Sequence, residues 1–223
     1  TQHYPVPLVA WVRFAVHLLV MSAFLAPLHG RRLVETRRTG LVWLRGASQV
    51  LISFCLIFAL RRLPLAEATA ILYLSPLMVL ICARLFLHEH IGRLRAAAGL
   101  LGLIGVVIVA HPGGALDGIG VILALLAAFG TSLYQLLSRL LAATETAMTL
   151  LFYSAISGTL FFSLLLPWNW QGPSPTTLDF ALFLGLGLAG CFGHYALTWA
   201  FRQAPASLLA PLSYLQLIWA ALL

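Results

Sequence analysis

Eight long apolar runs follow one another along this 223-residue chain, at residues 6–26, 41–60, 66–87, 94–110, 119–138, 146–166, 179–200 and 207–223. The segments between them are short and turn-rich: HGRRLVETRRTG, RRLP, HEHIGR, HPGGALDG, LLAATET, PWNWQGPSPTT and RQAP. A helix of about 20 apolar residues crosses the hydrocarbon core of a bilayer. Water cannot be the solvent for such a chain. Hydrophobic residues make up 61% of it and charged residues 9%, where a soluble domain carries about 25% charged residues. Membrane β-strands would read as alternating segments of roughly 10 residues, and these runs do not alternate. The expected fold is all-α, a polytopic helical membrane protein with eight transmembrane segments. No connection is long enough to separate water-soluble domains, so residues 1–223 read as a single membrane domain.

All 13 basic residues are Arg, and the net charge is +7. No nucleic-acid partner is expected, because the arginines gather in short connections where the positive-inside bias explains them. With the 31–38 connection inside, alternation places Arg31, Arg32, Arg37, Arg38, Arg45, Arg93, Arg95, Arg139 and Arg202 on the inner side. Arg61 and Arg62 fall outside, and Arg13 and Arg84 lie within spans. Trp168 and Trp170 then serve as anchors at the outer interface. Cys55, Cys82 and Cys191 occupy different runs, with neither metal spacing nor a paired framework, and read as small buried hydrophobes. The opening TQHYPVPLVAW lacks the basic region and cleavage site of a signal peptide.

A shift of 141 residues lays Ala59 on Ala200, Arg61 on Arg202, Pro64 on Pro205, Tyr73 on Tyr214 and Leu74 on Leu215 without a gap. The same shift lays 41–60 on 182–201 and 6–26 on 147–167. This is a weak but coherent internal duplication of the kind transporter folds carry. Run 119–138 maps ahead of residue 1, run 94–110 maps beyond residue 223, and Leu223 matches Cys82 partway along its helix. The expectation is a ten-helix inverted-repeat (5+5) parent, of which this chain lacks the first helix, the last helix and part of the ninth. The first repeat covers 1–114 and the second 115–223. An odd number of helices per repeat inverts the second copy, in keeping with Arg61 outside and Arg202 inside.

The stretch ALRRLPLAEATAILYLSPLMVLICARLFLHEHIGRLRAAAGLLGLIGVVIVAHPGG, residues 59–114, carries a family resemblance. It has a Pro-led helix at Pro64, a mid-helix Pro76, Glu89 near the helix end, and a Gly-rich helix from Gly99 that closes in Pro-Gly by Gly114. The opening YPVPLVAWVRF, residues 4–14, is similar to the second helix of the same pattern. The chain thus resembles the drug/metabolite transporter superfamily in its EamA-like branch, over its whole length. The branch includes S-adenosylmethionine uptake carriers and exporters of amino acids or metabolites. The resemblance implies transport, and leaves substrate and direction open.

Arg13 and His17 stand at i, i+4 on one helix face, about two and three turns into the first span. A charge at that depth is costly unless it lines a cavity or snorkels. One reading makes Arg13 a cavity-lining cation for an anionic substrate group. The other lets it snorkel to the outer interface, with His17 a hydrogen-bonded core residue. Glu67, three residues after Pro64, reads as a helix-start acid at the outer surface, near enough to Arg61 and Arg62 to pair. Leu208 stands at its matching position, which weighs against a proton-coupling role. Glu89 in HEH reads as a polar helix end pairing with Arg93. Its two flanking histidines at i, i+2 do not face each other, so no metal is expected.

Tyr73, Ser75 and Pro76 occupy the middle of the third run, where a proline frees the carbonyl one turn earlier, at Leu72. Tyr214 and Gln216 hold the matching depth in the last run, with Pro211 nearby. Polar, kinked features at corresponding midplane positions point to a transporter binding site, and hydrogen bonding between helices is the alternative. Tyr134, Gln135, His194, Tyr195 and Trp199 are further candidates. Gly185, Ala189 and Gly193, and Gly99, Gly102 and Gly105, form small-residue stripes that mark close helix contact. Ser157 and Gly158 with His194 hint at an intramembrane serine protease, but Ala155 stands where that motif needs glycine, and no phosphate loop, nucleotide fingerprint or carboxylate pair is present.

The expected function is transmembrane transport of a small organic metabolite by alternating access at a midplane cavity, with no enzymatic activity, no cofactor and no metal. The partners are the small-molecule substrate and the lipid bilayer of a bacterial inner membrane, with a homodimer open. The competing reading is a non-transporting membrane scaffold, or an incomplete subunit that needs complementation.

Overall fold

The computed structural model describes residues 4–25, 27, 30–110, 117–169 and 176–216. Among them every regular element is a helix. The helices are α1 (Val6–Val20), α2 (Thr39–Ala59), α3 (Leu65–Leu72), α4 (Ser75–Phe86), α5 (Arg93–Ala110), α6 (Gly118–Leu141), α7 (Ala147–Asn169), α8 (Thr177–Gln203) and α9 (Ala206–Leu212). A π-turn (Met21–Leu25) extends α1, and a 3-10 turn (Gly30–Leu33) follows it. Each of the eight apolar runs holds a helix, and six stretches are long and apolar enough to cross a bilayer: Val6–Ala23, Thr39–Ala59, Leu65–Phe86, Gly118–Leu141, Ala147–Trp168 and Thr177–Gln203. Trp170, the HPGG turn at 111–114 and the run beyond residue 216 lie outside the described residues.

Proline sets three of the helix starts. Pro5, Pro64 and Pro205 sit just ahead of α1, α3 and α9 with φ between −54° and −65° and ψ between 137° and 150°. Proline supplies that φ at no further entropic loss and lacks the N–H that a helix start leaves unbonded. Its carbonyl then accepts the first helical bonds, from Leu8 and Val9 at Pro5, Ala68 at Pro64, and Leu208 and Leu209 at Pro205.

The chain divides into two compact units, Thr1–Val50 with Leu141–Trp199 and Leu51–Leu140 with Ala200–Leu223. In the first, α1 packs along α7. Phe14 is buried and stacks on Phe162 at 5.8 Å, and a methyl group at Gly158 would run into the Phe14 ring. On another side of α1, a methyl group at Gly187 would meet Val16, and one at Gly190 would touch the Arg13 stem at 3.5 Å. The small residues of α8 that meet α1 are therefore Gly187 and Gly190. The expected stripe is different: among the described residues nothing lies within 4 Å of a methyl group at Gly185 or Gly193. Much of the rest of α8 is bare, with Phe180, Leu182, Leu184, Leu188 and Phe192 exposed. Lipid tails are as apolar as leucine, so such a face carries no penalty in a bilayer.

In the second unit, Ala59, Leu63, Ala68 and Ala124 form a close-packed core, and α9 lies against α4 and α5. A methyl group at Gly99 would meet Leu80, and one at Gly102 would collide with the Tyr214 ring, so two of the three glycines in that stripe do mark close contact. Three charges sit elsewhere than expected. Glu67 is buried at 8% exposure instead of lying at the surface. Arg62 pairs with Asp117 at 3.5 Å rather than with Glu67. Arg45, counted with the inner-side charges, is fully buried inside α2 of the first unit.

Candidate functional site

In the first unit, three helices each present a polar pair one turn apart: Arg13 and His17 on α1, Arg45 and Gln49 on α2, His194 and Thr198 on α8. Such i, i+4 pairs share a helix face. Arg45 is completely buried, and its guanidinium is held in place. Nη1 donates to the Leu150 carbonyl and to Ser154 Oγ, both at 2.8 Å, and Nη2 donates to Thr198 Oγ1 at 2.8 Å. An arginine inside a membrane span survives when its donors find acceptors on neighbouring helices, and α7 and α8 supply them here. Gln49 Nε2 lies 2.8 Å from His194 Nε2. His17 is buried at 3% exposure, and its Nε2 has no hydrogen-bond partner. Arg13 and Arg45 both act electrostatically on His17, and both, with His17, act on His194. The guanidinium of Arg13 lies over the Phe14 ring at 4.9 Å.

The structure thus brings Arg13, His17 and His194 into one polar nest and adds Arg45 and Gln49, which sequence reading passed over. The signal was available, since Arg45 and Gln49 have the same i, i+4 spacing that singled out Arg13 and His17. Tyr195 stands apart, packed on the Met21, Leu33 and Leu151 cluster, and Trp199 is 52% exposed.

In the second unit the third apolar run is interrupted. The helix stops at Leu72, turns through Tyr73 and Leu74, and resumes at Ser75. The last run does the same, turning through Ser213 and Tyr214. At both places the backbone tightens to i, i+3 bonding, from Leu74 N to Ile71 O at 3.0 Å, and from Ser213 N and Tyr214 N to Ala210 O and Pro211 O at 3.1 and 3.2 Å. A mid-helix 3-10 stretch of this kind often marks a hinge. Tyr73 and Tyr214, 141 positions apart, meet here. Their rings stack at 5.8 Å, and the Tyr214 hydroxyl donates to the Tyr73 carbonyl at 3.0 Å. Ser132 Oγ donates to the Ser75 carbonyl at 3.1 Å. Side chains therefore satisfy carbonyls at the break, as a bilayer requires. Ser75, Pro76, Tyr134 and Gln135 are buried, while Gln216 is exposed.

Beyond the spans, His88 adopts φ 53°, a left-handed turn uncommon for a residue with a side chain. It swings Glu89 away from Arg93. Glu89 instead accepts the N–H groups of Ala206 at 3.0 Å and Ser207 at 2.9 Å, at the start of α9, and lies 3.4 Å from Arg139 Nε. Burial works to raise its carboxyl pKa, but the bonds from Ser207 and Ala206 and the Arg139 charge outweigh it and hold the group below the usual carboxylate value. Among the described residues no three His, Cys, Asp or Glu side chains converge to hold a metal ion.

Comparison with known proteins places this geometry in a family. The model of the EamA-like transporter family matches residues 1–110 and 118–223. A riboflavin transporter of Vibrio cholerae is 29% identical over 214 residues, covering 96% of this chain and 72% of the relative. An S-adenosylmethionine uptake transporter of Rickettsia bellii is 29% identical over the same shares. A pseudopaline exporter of Pseudomonas aeruginosa is 26% identical over 178 residues, 79% of this chain and 62% of the exporter. A solved crystal structure with 21% identity shares the fold at a TM-score of 0.79, over 94% of this chain and 74% of that one. The chain therefore belongs to the EamA-like transporter family of the drug/metabolite transporter superfamily, and is an integral membrane transporter of small molecules and not an enzyme.

Proposed function

We propose that this chain moves a small organic metabolite across a bacterial inner membrane by alternating access, its two halves acting as members of a five-plus-five inverted repeat. The observation that carries the reading is the matched pair of helix interruptions at Tyr73–Leu74 and Ser213–Tyr214. Broken helices at corresponding positions of two repeats are where transporters of this kind bind substrate and rock. Aromatic groups, Tyr73 and Tyr214 first among them, enclose the substrate. Relatives that carry riboflavin, S-adenosylmethionine and pseudopaline support heteroatom-rich metabolites of that size as cargo.

Counterflow in liposomes tests the reading. Vesicles containing the chain and preloaded with one metabolite of a panel that includes riboflavin and S-adenosylmethionine should accumulate the labelled compound transiently. Traces that match protein-free vesicles for every compound would refute transport by this chain.

A further inference from the structure

We propose that Gln135 is a specificity-determining residue of the second unit, its side-chain oxygen accepting a hydrogen bond from an N–H or O–H group of the cargo at the break in the third run. The inference rests on the transport reading and deepens it by naming a group the cargo carries.

Ser132, Gln135 and Arg139 stand at i, i+3 and i+7 on one face of α6, all within the second unit. The two outer residues reach across to other elements of that unit. Ser132 Oγ donates to the Ser75 carbonyl at 3.1 Å, where α4 resumes after the break. Arg139 Nη1 donates to the Phe201 carbonyl at 3.0 Å, and its Nε lies 3.4 Å from Glu89. Thr131 and Ser138 turn back on α6 itself, to the carbonyls of Ala127 and Tyr134. Gln135, between the two outer residues, is buried at 6% exposure, and among the described residues nothing donates to its Oε1.

His17 Nε2, Gln49 Oε1, Thr144 Oγ1 and Thr159 Oγ1 are also buried without a hydrogen bond among the described residues, and all four lie in the first unit. Place and polarity set Gln135 apart. It stands one turn along α6 from the Ser132 contact at the break, and Cβ atoms at that spacing are about 5–6 Å apart. A carboxamide oxygen only accepts, whereas a hydroxyl can also donate and an imidazole nitrogen does either by tautomer. What completes Gln135 Oε1 is therefore a donor. In the hydrocarbon core no water stands by to supply one, so the empty acceptor weakens the fold until a ligand brings it. Broken helices are where transporters of this kind bind substrate, and the stacked rings of Tyr73 and Tyr214 offer a flat cargo an aromatic surface there. A site with a buried acceptor discriminates sharply against an analogue that lacks the donor, because the acceptor is then left unpaired.

The experiment uses the whole chain in lipid nanodiscs, labelled with 13C at the glutamine side-chain carbonyl, and two probes, theophylline and caffeine. Both are flat, uncharged heterocycles, and they differ only in one N–H replaced by N–CH3. The Gln135 resonance is assigned by its loss in Gln135→Met. Theophylline should move that signal and caffeine should not. Gln135→Met should bind theophylline roughly tenfold more weakly, the equivalent of one hydrogen bond, and should no longer tell the probes apart. A preference due only to a clash of the extra methyl would persist in that variant. Gln135→Asn, which keeps the carboxamide, should retain part of the preference. Without ligand, Gln135→Met should melt about 2–4 °C higher than the parent, since it removes an unsatisfied acceptor, whereas loss of a structural contact would lower the melt. A lower or unchanged melt, equal responses to the two probes, or none to either would overturn the site. The two readings fail separately. If counterflow proceeds while Gln135 ignores theophylline, the site falls and transport stands. If no metabolite is exchanged while Gln135 still distinguishes the probes, the site stands and transport by this chain falls.

Discussion

Replacing Arg45 by methionine tests whether the buried guanidinium is a structural member of the fold. Arg45→Met keeps most of the side-chain volume but strands three acceptors, the Leu150 carbonyl and the Ser154 and Thr198 hydroxyls, each now 2.8 Å from a donor. Hydrogen bonds between membrane helices average about 0.6 kcal/mol and reach about 1.7, so three together give roughly 2–5 kcal/mol. Removing a buried charge works the other way, since apolar replacements of buried ion pairs are often neutral or stabilising. Here the Ser154 and Thr198 hydroxyls and the Leu150 carbonyl all lose their buried donor, so the loss should dominate. For a chain of this length 1 kcal/mol corresponds to about 2–4 °C, which places the drop in melting temperature at roughly 4–20 °C. The assay is thermal unfolding in detergent, followed by reaction of the buried Cys55 thiol with a fluorogenic maleimide. Arg45→Met, Ser154→Ala and Thr198→Val combined remove the donor and the two hydroxyl acceptors together, leave the Leu150 carbonyl, and should recover a large part of the loss. A single variant that melts within about 2 °C of the parent, or a triple variant no better than the single one, would refute the hydrogen-bond account.

Gly158→Ala should lower stability by about 1–3 kcal/mol through overpacking, because the added methyl meets the Phe14 ring; Phe14→Leu in the same chain should return most of it in the same melt. Tyr214→Phe keeps the stacked rings but removes the hydroxyl bound to the Tyr73 carbonyl at 3.0 Å. It should cost about 1 kcal/mol and speed amide exchange near Tyr73, and unchanged exchange there would show that the bond does not hold the break. Glu89 carries a lowered pKa, so its stabilising effect is complete above the ordinary carboxylate value of 4.5 and is lost as pH falls through the lower folded value. The parent's melting temperature should therefore decline with acid below about pH 4.5 more steeply than that of Glu89→Gln, and parallel acid limbs would discount the Glu89 contacts.

Helix content and six of the eight expected spans were legible because the bilayer leaves few choices: each long apolar run must satisfy its own backbone, and a helix does so. The helix break was legible in part. Pro76 marked the right turn of the third run, but the partners that settle its carbonyls, Tyr214 and Ser132, arrive from segments distant in sequence. Long-range side-chain contacts have no local signature, and the same limit hid the charges. Glu89 looked like half of a helical pair with Arg93, yet the left-handed turn at His88 sends it to the start of α9. Arg45 lies close to a cluster of arginines in the preceding connection, so counting charges by loop swept it in with them. What distinguishes it is depth, and only the packed helices α7 and α8 reveal that. The α8 glycines show the problem at finer grain. Positions 185, 189 and 193 have the motif spacing, but contact with α1 falls on Gly187 and Gly190, because spacing defines a face without saying which face is covered.

The two helix breaks also show what the paired positions have in common. Pro76 follows the first break, at the start of α4, whereas Pro211 precedes the second, within α9. Shifted by 141 residues, Pro76 falls on Leu217 and Pro211 on Ala70, so neither proline has a proline counterpart. Each removes a backbone donor from its own run, in different turns, yet the chain tightens over the same two or three residues. Tyrosine, not proline, is the residue that coincides, and it is Tyr214 that donates to the carbonyl of Tyr73. A proline weakens a helix over a turn but does not say where within that turn the bonding must change. The tyrosine pair does, since its hydroxyl needs an open carbonyl at one position, and Gly102 leaves the space in which its ring lies. The interruption is thus fixed by a contact between the two runs, and a movement that separates the rings would release the Tyr73 carbonyl to whatever else can donate to it.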